Sequence, residues 1–74
     1  MRFCDFLGSI AYHQHVIVFH NGELILDFWT GESSDYIERG DAELLQSLCW
    51  ESEAVVDEVW VLPTAFAIAV DVTM

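Results

Sequence analysis

The chain has 74 residues, the length of one small domain, and 54% of them are hydrophobic, which argues against disorder. Thirteen Asp and Glu stand against two basic residues, Arg2 and Arg39, so the formal net charge is −11. This charge excludes nucleic acid and anionic membrane surfaces as direct partners, because like charges repel, and it favours a basic partner. Net charge also keeps a small protein dispersed, so solubility alone is a second interpretation.

Cysteine usage and hydropathy predict a cytoplasmic protein. Cys4 and Cys49 are too few for a disulfide framework and are expected to be free and buried. The first fifteen residues contain one Arg, one Asp and no uninterrupted apolar run, so no signal peptide is expected. No segment reaches the roughly 18 apolar residues that a bilayer-spanning helix needs.

The first predicted element is a short amphipathic helix over residues 3–11. Its apolar stripe follows the i, i+3, i+4, i+7 spacing that one helix face requires. Gly8 weakens this prediction, and an edge strand is the alternative for the same stretch. The residues of the stripe are Phe3, Phe6, Leu7 and Ile10.

Residues 14–29 predict a β-hairpin. Asn21-Gly22 lies between two β-rich runs, and both positions of such a turn need a positive φ. A two-residue turn pairs His20 with Glu23 and thereby fixes the register of the two strands. In that register the predicted core face carries Ile17, Phe19, Leu24, Leu26 and Phe28.

The middle of the chain, residues 30–54, is polar and acidic. The segment from Asp35 to Arg39 predicts one helical turn that ends at Gly40. Asp41 is then a good N-cap for a second helix from Ala42 to about Trp50. The buried face of that helix is expected to contain Leu44, Leu45, Leu48 and Cys49.

A second hairpin is predicted from residues 55–62 and 65–72, with Pro63 in the turn. Its register places Val61 opposite Phe66. The face opposite the core sets one tryptophan above a row of alanines, a shape that can receive a helix or a partner. That face carries Glu58, Trp60, Ala65, Ala67, Ala69 and Asp71.

These elements predict a single α+β domain over residues 1–74, in the order α-β-β-α-β-β. The simplest assembly is a four-stranded, mostly antiparallel sheet with helices on one face. The edges of such a sheet are open, so a homodimer that pairs two sheet edges is one expected assembly.

Residues with catalytic or metal-binding chemistry are present but scattered. His13 and His15 share a strand face, whereas His20 has the opposite parity and Cys4 lies on another element, so three zinc ligands do not converge. Carboxylate pairs occur in any chain with thirteen acids, and 74 residues are too few to frame a deep substrate pocket. The sequence therefore predicts no metal, no cofactor and no enzymatic activity.

The strongest candidate site is an acidic surface with aromatic anchors. Eleven of the thirteen acids fall between Glu23 and Glu58. Carboxylates on adjacent turns and loops can roughly match the spacing of nucleic-acid phosphates, and tryptophan is a frequent interface anchor. The alternatives are a solvated face and tryptophans that cap the core. The predicted partner-binding residues are Glu32, Asp35, Glu38, Asp41, Glu43, Glu51, Glu53, Trp29 and Trp60.

The opening M-R-F-C-D-F-L, the run V-I-V-F-H-N-G-E-L and the acidic middle resemble small phage and prophage proteins of the anti-CRISPR type. The resemblance covers mainly residues 1–26, and the second half of the chain departs from it. It implies stoichiometric binding to a complex that handles nucleic acid, without catalysis and in the cytoplasm of a host cell.

The leading hypothesis is accordingly a small acidic inhibitor that occupies a basic nucleic-acid site on a host defence complex such as a CRISPR effector. The first alternative is an antitoxin or immunity-type protein directed at one basic toxin. The second is a structural or assembly protein that forms a homo-oligomer through its strand edges. A small enzyme or metal protein is the remaining hypothesis.

Overall fold

The computed structural model describes residues 1–51 and 53–74, and only the backbone of Glu51. Across these residues the chain forms five strands and two short helices, the second of which continues as a π-helix. The elements are α1 (Phe3–Gly8), β1 (His15–His20), β2 (Glu23–Trp29), β3 (Tyr36–Arg39), α2 (Ala42–Gln46) with its π-helical extension (Ser47–Glu51), β4 (Val55–Leu62) and β5 (Ala67–Thr73).

The five strands form one mixed sheet in the order β3-β2-β1-β5-β4. Neighbouring strands are antiparallel except β1 and β5, which are parallel. The prediction of a four-stranded, mostly antiparallel sheet in the order α-β-β-α-β-β is therefore wrong. The two hairpins are joined by the pairing of β1 with β5, and β3 extends the sheet beyond β2.

The additional strand, β3, occupies the segment for which a helical turn was predicted. Ile37 pairs with Phe28 and Tyr36 pairs with Trp29, so the segment completes the edge of the sheet. A helix of four residues gains little because its first turn must be nucleated, whereas a strand beside β2 gains sheet hydrogen bonds and packing. Gly40 follows with φ 86°, so it ends a strand here and not a helix.

The first hairpin is confirmed at its turn, where Asn21 has φ 53° and Gly22 has φ 77°. Its predicted register is wrong beyond the first two pairs. A bulge shifts the pairing, so that Val18 faces Leu26. A shift by one residue exchanges the two faces of a strand. The core face of β1 consequently carries Val16 and Val18, whereas Ile17, Phe19 and Leu24 belong to the opposite face.

The second hairpin is present, with its register shifted by two residues. Val61 pairs with Ile68 and not with Phe66, because the connection between the strands has four residues, 63–66. An even shift preserves the faces, so the predicted division between core and outer residues holds for both strands. Ala65 and Phe66 are the exceptions, since both lie in the connection, where Phe66, predicted to face the core, is 84% exposed. Val61 remains 66% exposed on the sheet edge.

Both predicted helices exist: α1 is shorter than expected, whereas α2 with its π-helical extension covers residues 42–51, close to the predicted extent. In α1, Phe3 and Phe6 are buried, and the helix ends at Gly8, so the alternative of an edge strand is wrong. At the start of α2 the Asp41 carboxylate accepts a hydrogen bond of 2.8 Å from the Leu44 backbone N–H, which confirms the predicted N-cap. No helix among the described residues is long and apolar enough to cross a membrane.

The hydrophobic core lies between the helices and one face of the sheet. The other side, here called the open sheet face, is covered by no helix of the described chain. On this side Ala67 and Ala69 are nevertheless fully buried, because larger side chains of neighbouring strands cover them. The core cluster consists of Phe3, Phe6, Val16, Val18, Leu26, Phe28, Leu45, Leu48, Ala54, Val70 and Val72.

Candidate functional site

Five of the predicted acidic residues form one continuous segment at the β3 edge of the sheet. This acidic strip runs from the β2–β3 connection through β3 to the first turn of α2, and all its side chains are exposed. The local fold holds two of its carboxylates, since one accepts a 3.0 Å hydrogen bond from the Gly31 N–H and another caps α2. The strip consists of Glu32, Asp35, Glu38, Asp41 and Glu43.

No carboxylate of the acidic strip forms an ion pair with a described residue. Within the described residues, 1–51 and 53–74, the contact of His15 with Asp27 is the one pairing of a basic with an acidic side chain. The backbone of Arg2 forms an isolated β-bridge with Val55 at the start of β4, whereas Arg39 lies within the strip, on β3, without an ion pair to a described residue. With Arg39 counted against its five acids, the strip keeps a net charge of −4, which remains available to a basic partner.

The remaining predicted site residues do not join the acidic strip. Glu53 is exposed just before β4, at the opposite edge of the sheet, and the side chain of Glu51 lies outside the described residues. Trp29 and Trp60 lie on the open sheet face, on β2 and β4. Four strand spacings, about 19 Å in total, separate the two sheet edges, so the eight predicted residues with described side chains do not form one surface.

A cleft of about 450 Å³ lies beside the acidic strip, between α1 and the second helix. Its volume falls within the range of small-molecule and side-chain pockets. Asp35 of the strip is part of its wall, as is Trp50, which is 76% exposed. The lining residues are Cys4, Leu7, Gly8, Asp35, Ala42, Leu45, Gln46, Cys49 and Trp50.

The sequence interpretation missed this cleft, although its spacing contains the signal. Cys4, Leu7 and Gly8 follow i, i+3, i+4 spacing in α1, and Ala42, Leu45 and Gln46 follow the same spacing in α2. Each helix therefore presents one small residue and one leucine to the gap between them. What the sequence could not supply is the distance between the two helices.

The thiol of Cys49 is protonated in this cleft at neutral pH. Burial raises the pKa of Cys49 from 9.0 to about 11, and the nearby Cys4 and Asp35 act in the same direction. An uncharged thiol adds to the apolar character of the wall and is a weak nucleophile. At Cys49 the wall of the cleft is therefore uncharged and suited to contact with an apolar side chain.

We expect Cys49 to react slowly with iodoacetamide at pH 8. The pKa shift from 9.0 to about 11 leaves roughly a hundredfold less thiolate in the folded chain than in the unfolded one. The Cys4→Ser variant isolates the thiol, and mass spectrometry with and without urea compares the rates. Because the folded pKa lies above the unfolded one, folding should also weaken as pH rises above about 9. Equal alkylation rates in the two states would contradict the assigned burial.

The open sheet face carries a second group of polar and aromatic residues. The ring of His15 stacks on Trp29 with centroids 4.5 Å apart, and its Nε2 contacts the Asp27 carboxylate. The histidine Nδ1 is buried without a partner among the described groups. No set of three or more histidine, cysteine or acidic side chains within the described ranges could hold a metal ion.

Comparisons with known proteins add no relative to this description. No family model, no curated protein sequence and no solved structure matches the chain.

Proposed function

We propose that the protein is a binding protein, without catalytic activity of its own, whose acidic strip docks on a basic surface of a partner protein. The observation that carries this proposal is the strip itself, five exposed carboxylates without a described ion-pair partner beside an apolar cleft. Glu32, Glu38 and Glu43 have no hydrogen bond or ion pair with a described group, so they lose no internal contact when a cationic surface replaces the water around them.

The cleft offers the buried apolar contact that exposed carboxylates cannot provide. Specific interfaces combine a buried apolar centre with a polar rim, and a few anchors in pockets contribute most of the binding energy. The cleft between α1 and α2 has room for one or two apolar side chains of the partner. The strip would then form one side of the rim, with Trp50 at the other. Its charge accelerates association, while the cleft slows dissociation.

Basic surfaces that bind nucleic acid are among the partners this charge favours, so we propose competition with nucleic acid as the mode of action. A basic groove that neutralises phosphates can accept carboxylates in their place. The resemblance of residues 1–26 to anti-CRISPR proteins suggests CRISPR effector complexes in a host cytoplasm as the first partners to test. An antitoxin directed at a basic toxin has the same physical basis.

The test is a competition experiment with two variants of equal net charge. Purified CRISPR effector complexes and basic nucleases are bound to labelled nucleic acid, and displacement by the protein is measured at 50 and 300 mM NaCl. We expect displacement that weakens with salt, as it should for a charged interface. Replacing three carboxylates of the strip by amides, E32Q/E38Q/E43Q, should weaken displacement by about tenfold or more, since each interfacial charge is worth about 1 kcal/mol.

The matched control removes three carboxylates outside the strip, D5N/E23Q/D57N. It carries the same net charge, so it should displace nucleic acid within about twofold of the natural chain. Equal weakening in both triple variants would mean that overall charge, and not the strip, determines binding. Absence of displacement from every target tested would remove the proposal.

A homodimer formed through the edge of β4 is the second candidate function. The observation that favours it is an eight-residue edge strand on which Val59 is 53% and Val61 66% exposed. Exposed apolar edge strands are templates for pairing with another chain. Light scattering on the samples of the competition experiment separates the two candidates, since a dimer that persists at 300 mM NaCl without any displacement would favour assembly.

A further inference from the structure

The open sheet face carries a compact group of aromatic and acidic side chains on β1, β5 and β4. The rings of Phe19 and Trp60 stack with centroids 5.7 Å apart and an interplanar angle of 24°. These residues belong to the strands on either side of β5, so their rings meet above it. Trp60 pairs with Ala69, which is fully buried beneath. The result is an aromatic surface that no described helix covers.

Two carboxylates lie directly beside this aromatic surface. Asp71 pairs with Phe19 on one side and with Glu58 on the other. Side chains in such directly opposed pairs lie about 4.5–5.5 Å apart at Cβ, and like charges there repel each other. Neither carboxylate has a hydrogen bond or an ion pair with a described group. The neighbouring Asp57, by contrast, accepts a hydrogen bond from the Thr73 hydroxyl.

We propose that Phe19, Trp60, Glu58 and Asp71 form a docking site for an arginine side chain of a basic protein segment, here called the arginine site. A guanidinium group can stack on the exposed tryptophan ring while its planar fork donates hydrogen bonds to the carboxylates. The same contact relieves the repulsion between Glu58 and Asp71. Charge complementarity selects this occupant, since both unpaired groups at the aromatic surface are anions.

A second copy of the chain is the less suitable occupant. Each copy carries a net charge of −11 and only two arginines, so association through this face brings two strongly negative molecules together. The inference rests on the proposed function, because it takes the partner to be basic. The arginine site would give the partner a second contact, on the sheet face that the cleft does not reach.

The probe is a twelve-residue peptide with four arginines separated by glycines, and its counterpart has glutamine in place of each arginine. Both are titrated into labelled protein at 100 mM NaCl and followed by NMR. We expect the arginine peptide to shift the Trp60 indole N–H and the amides of Glu58 and Asp71, and the glutamine peptide to leave them in place. Fluorescence anisotropy with a labelled peptide gives the affinity.

Two pairs of variants make the test specific. E58Q/D71N should weaken the arginine peptide about fivefold or more, whereas D5N/E23Q, with the same net charge and outside both the strip and the arginine site, should weaken it less than twofold. Trp60→Leu should likewise weaken it, whereas Phe66→Leu, at an exposed aromatic residue of the β4–β5 connection, should not. Because E58Q/D71N removes a like-charge pair, its urea midpoint should be at or above that of the natural chain. Lost binding then cannot be attributed to unfolding.

Other outcomes overturn the inference in distinguishable ways. Shifts confined to the acidic strip, or equal weakening by both charge pairs, would exclude the arginine site and leave the proposed function standing. Absence of any shift with the arginine peptide would exclude the site as well. The proposed function is judged separately, by nucleic-acid displacement with the E32Q/E38Q/E43Q variant, which keeps the arginine site intact.

Discussion

Replacing Phe28 by alanine should lower the free energy of unfolding by about 3–5 kcal/mol, the usual cost of removing a buried aromatic ring. Phe28 is fully buried in the core cluster and faces Val16 on β1 and Ile37 on β3. Removal of its ring opens a cavity between three strands and the helices. The substitution should therefore loosen β3, and the acidic strip with it.

A loss of this size consumes most of the stability of such a small domain. The free energy of unfolding of protein domains is about 5–15 kcal/mol. A domain of 74 residues lies toward the lower end of this range because it buries less surface. Urea unfolding followed by far-UV circular dichroism should show a population of unfolded chain already without denaturant. The control is Phe66→Ala, since Phe66 is 84% exposed in the β4–β5 connection, and its effect should stay within about 0.5 kcal/mol. Similar losses for both phenylalanines would contradict the assigned core.

The sequence predicted the local elements of this fold better than their assembly. Asn21-Gly22 specified a turn because both residues tolerate positive φ, and Asp41 specified a helix start because its carboxylate can accept a backbone hydrogen bond. Each of these signals acts within four residues. The parallel pairing of β1 with β5 joins residues that are about fifty positions apart, and no local pattern encodes it.

The bulge in the first hairpin shows how one local feature alters a functional interpretation. A regular hairpin places Phe19 in the core, and both faces of β1 are apolar enough to fit either register. The bulge moves Phe19 to the open sheet face, where it meets Trp60. The even register shift in the second hairpin left Trp60 on the face that its sequence indicated. Three of the four residues of the arginine site, Glu58, Trp60 and Asp71, were therefore predictable on one face, and Phe19 was not.

The acidic strip was predicted as a set of residues but not as a surface. That its five residues lie close together was predictable, because residues close in sequence remain close in space through the β2–β3 connection and the start of α2. Glu53 was assigned to the same surface because a helix from Ala42 to Trp50 seemed to connect them. The extra strand β3 places the strip at one sheet edge, while β4, which begins after Glu53, forms the other edge.

Replacing Gly40 by alanine should lower the free energy of unfolding by about 2–4 kcal/mol, because backbone strain and crowding act together. Gly40 has φ 86°, and a Cβ at this position would lie 2.7 Å from Leu26 Cδ1 and 2.8 Å from the Ile25 carbonyl oxygen. The carbonyl belongs to the backbone of β2 and cannot turn away. The chain must move away from β2 at the point where it passes from β3 to the cap of α2.

Two other glycines separate the two causes of this loss. Gly22 has φ 77° but nothing within 4 Å of a Cβ, so Gly22→Ala should cost about 1 kcal/mol through strain alone. Gly8 has open space, ends α1 and has no positive φ, so Gly8→Ala should stabilise the chain by about 0.5–1 kcal/mol. Urea midpoints should therefore fall in the order Gly8→Ala, natural chain, Gly22→Ala, Gly40→Ala. Equal losses at Gly22 and Gly40 would show that the chain after β3 does not pack against β2, and the acidic strip would then lack the support that holds it at the sheet edge.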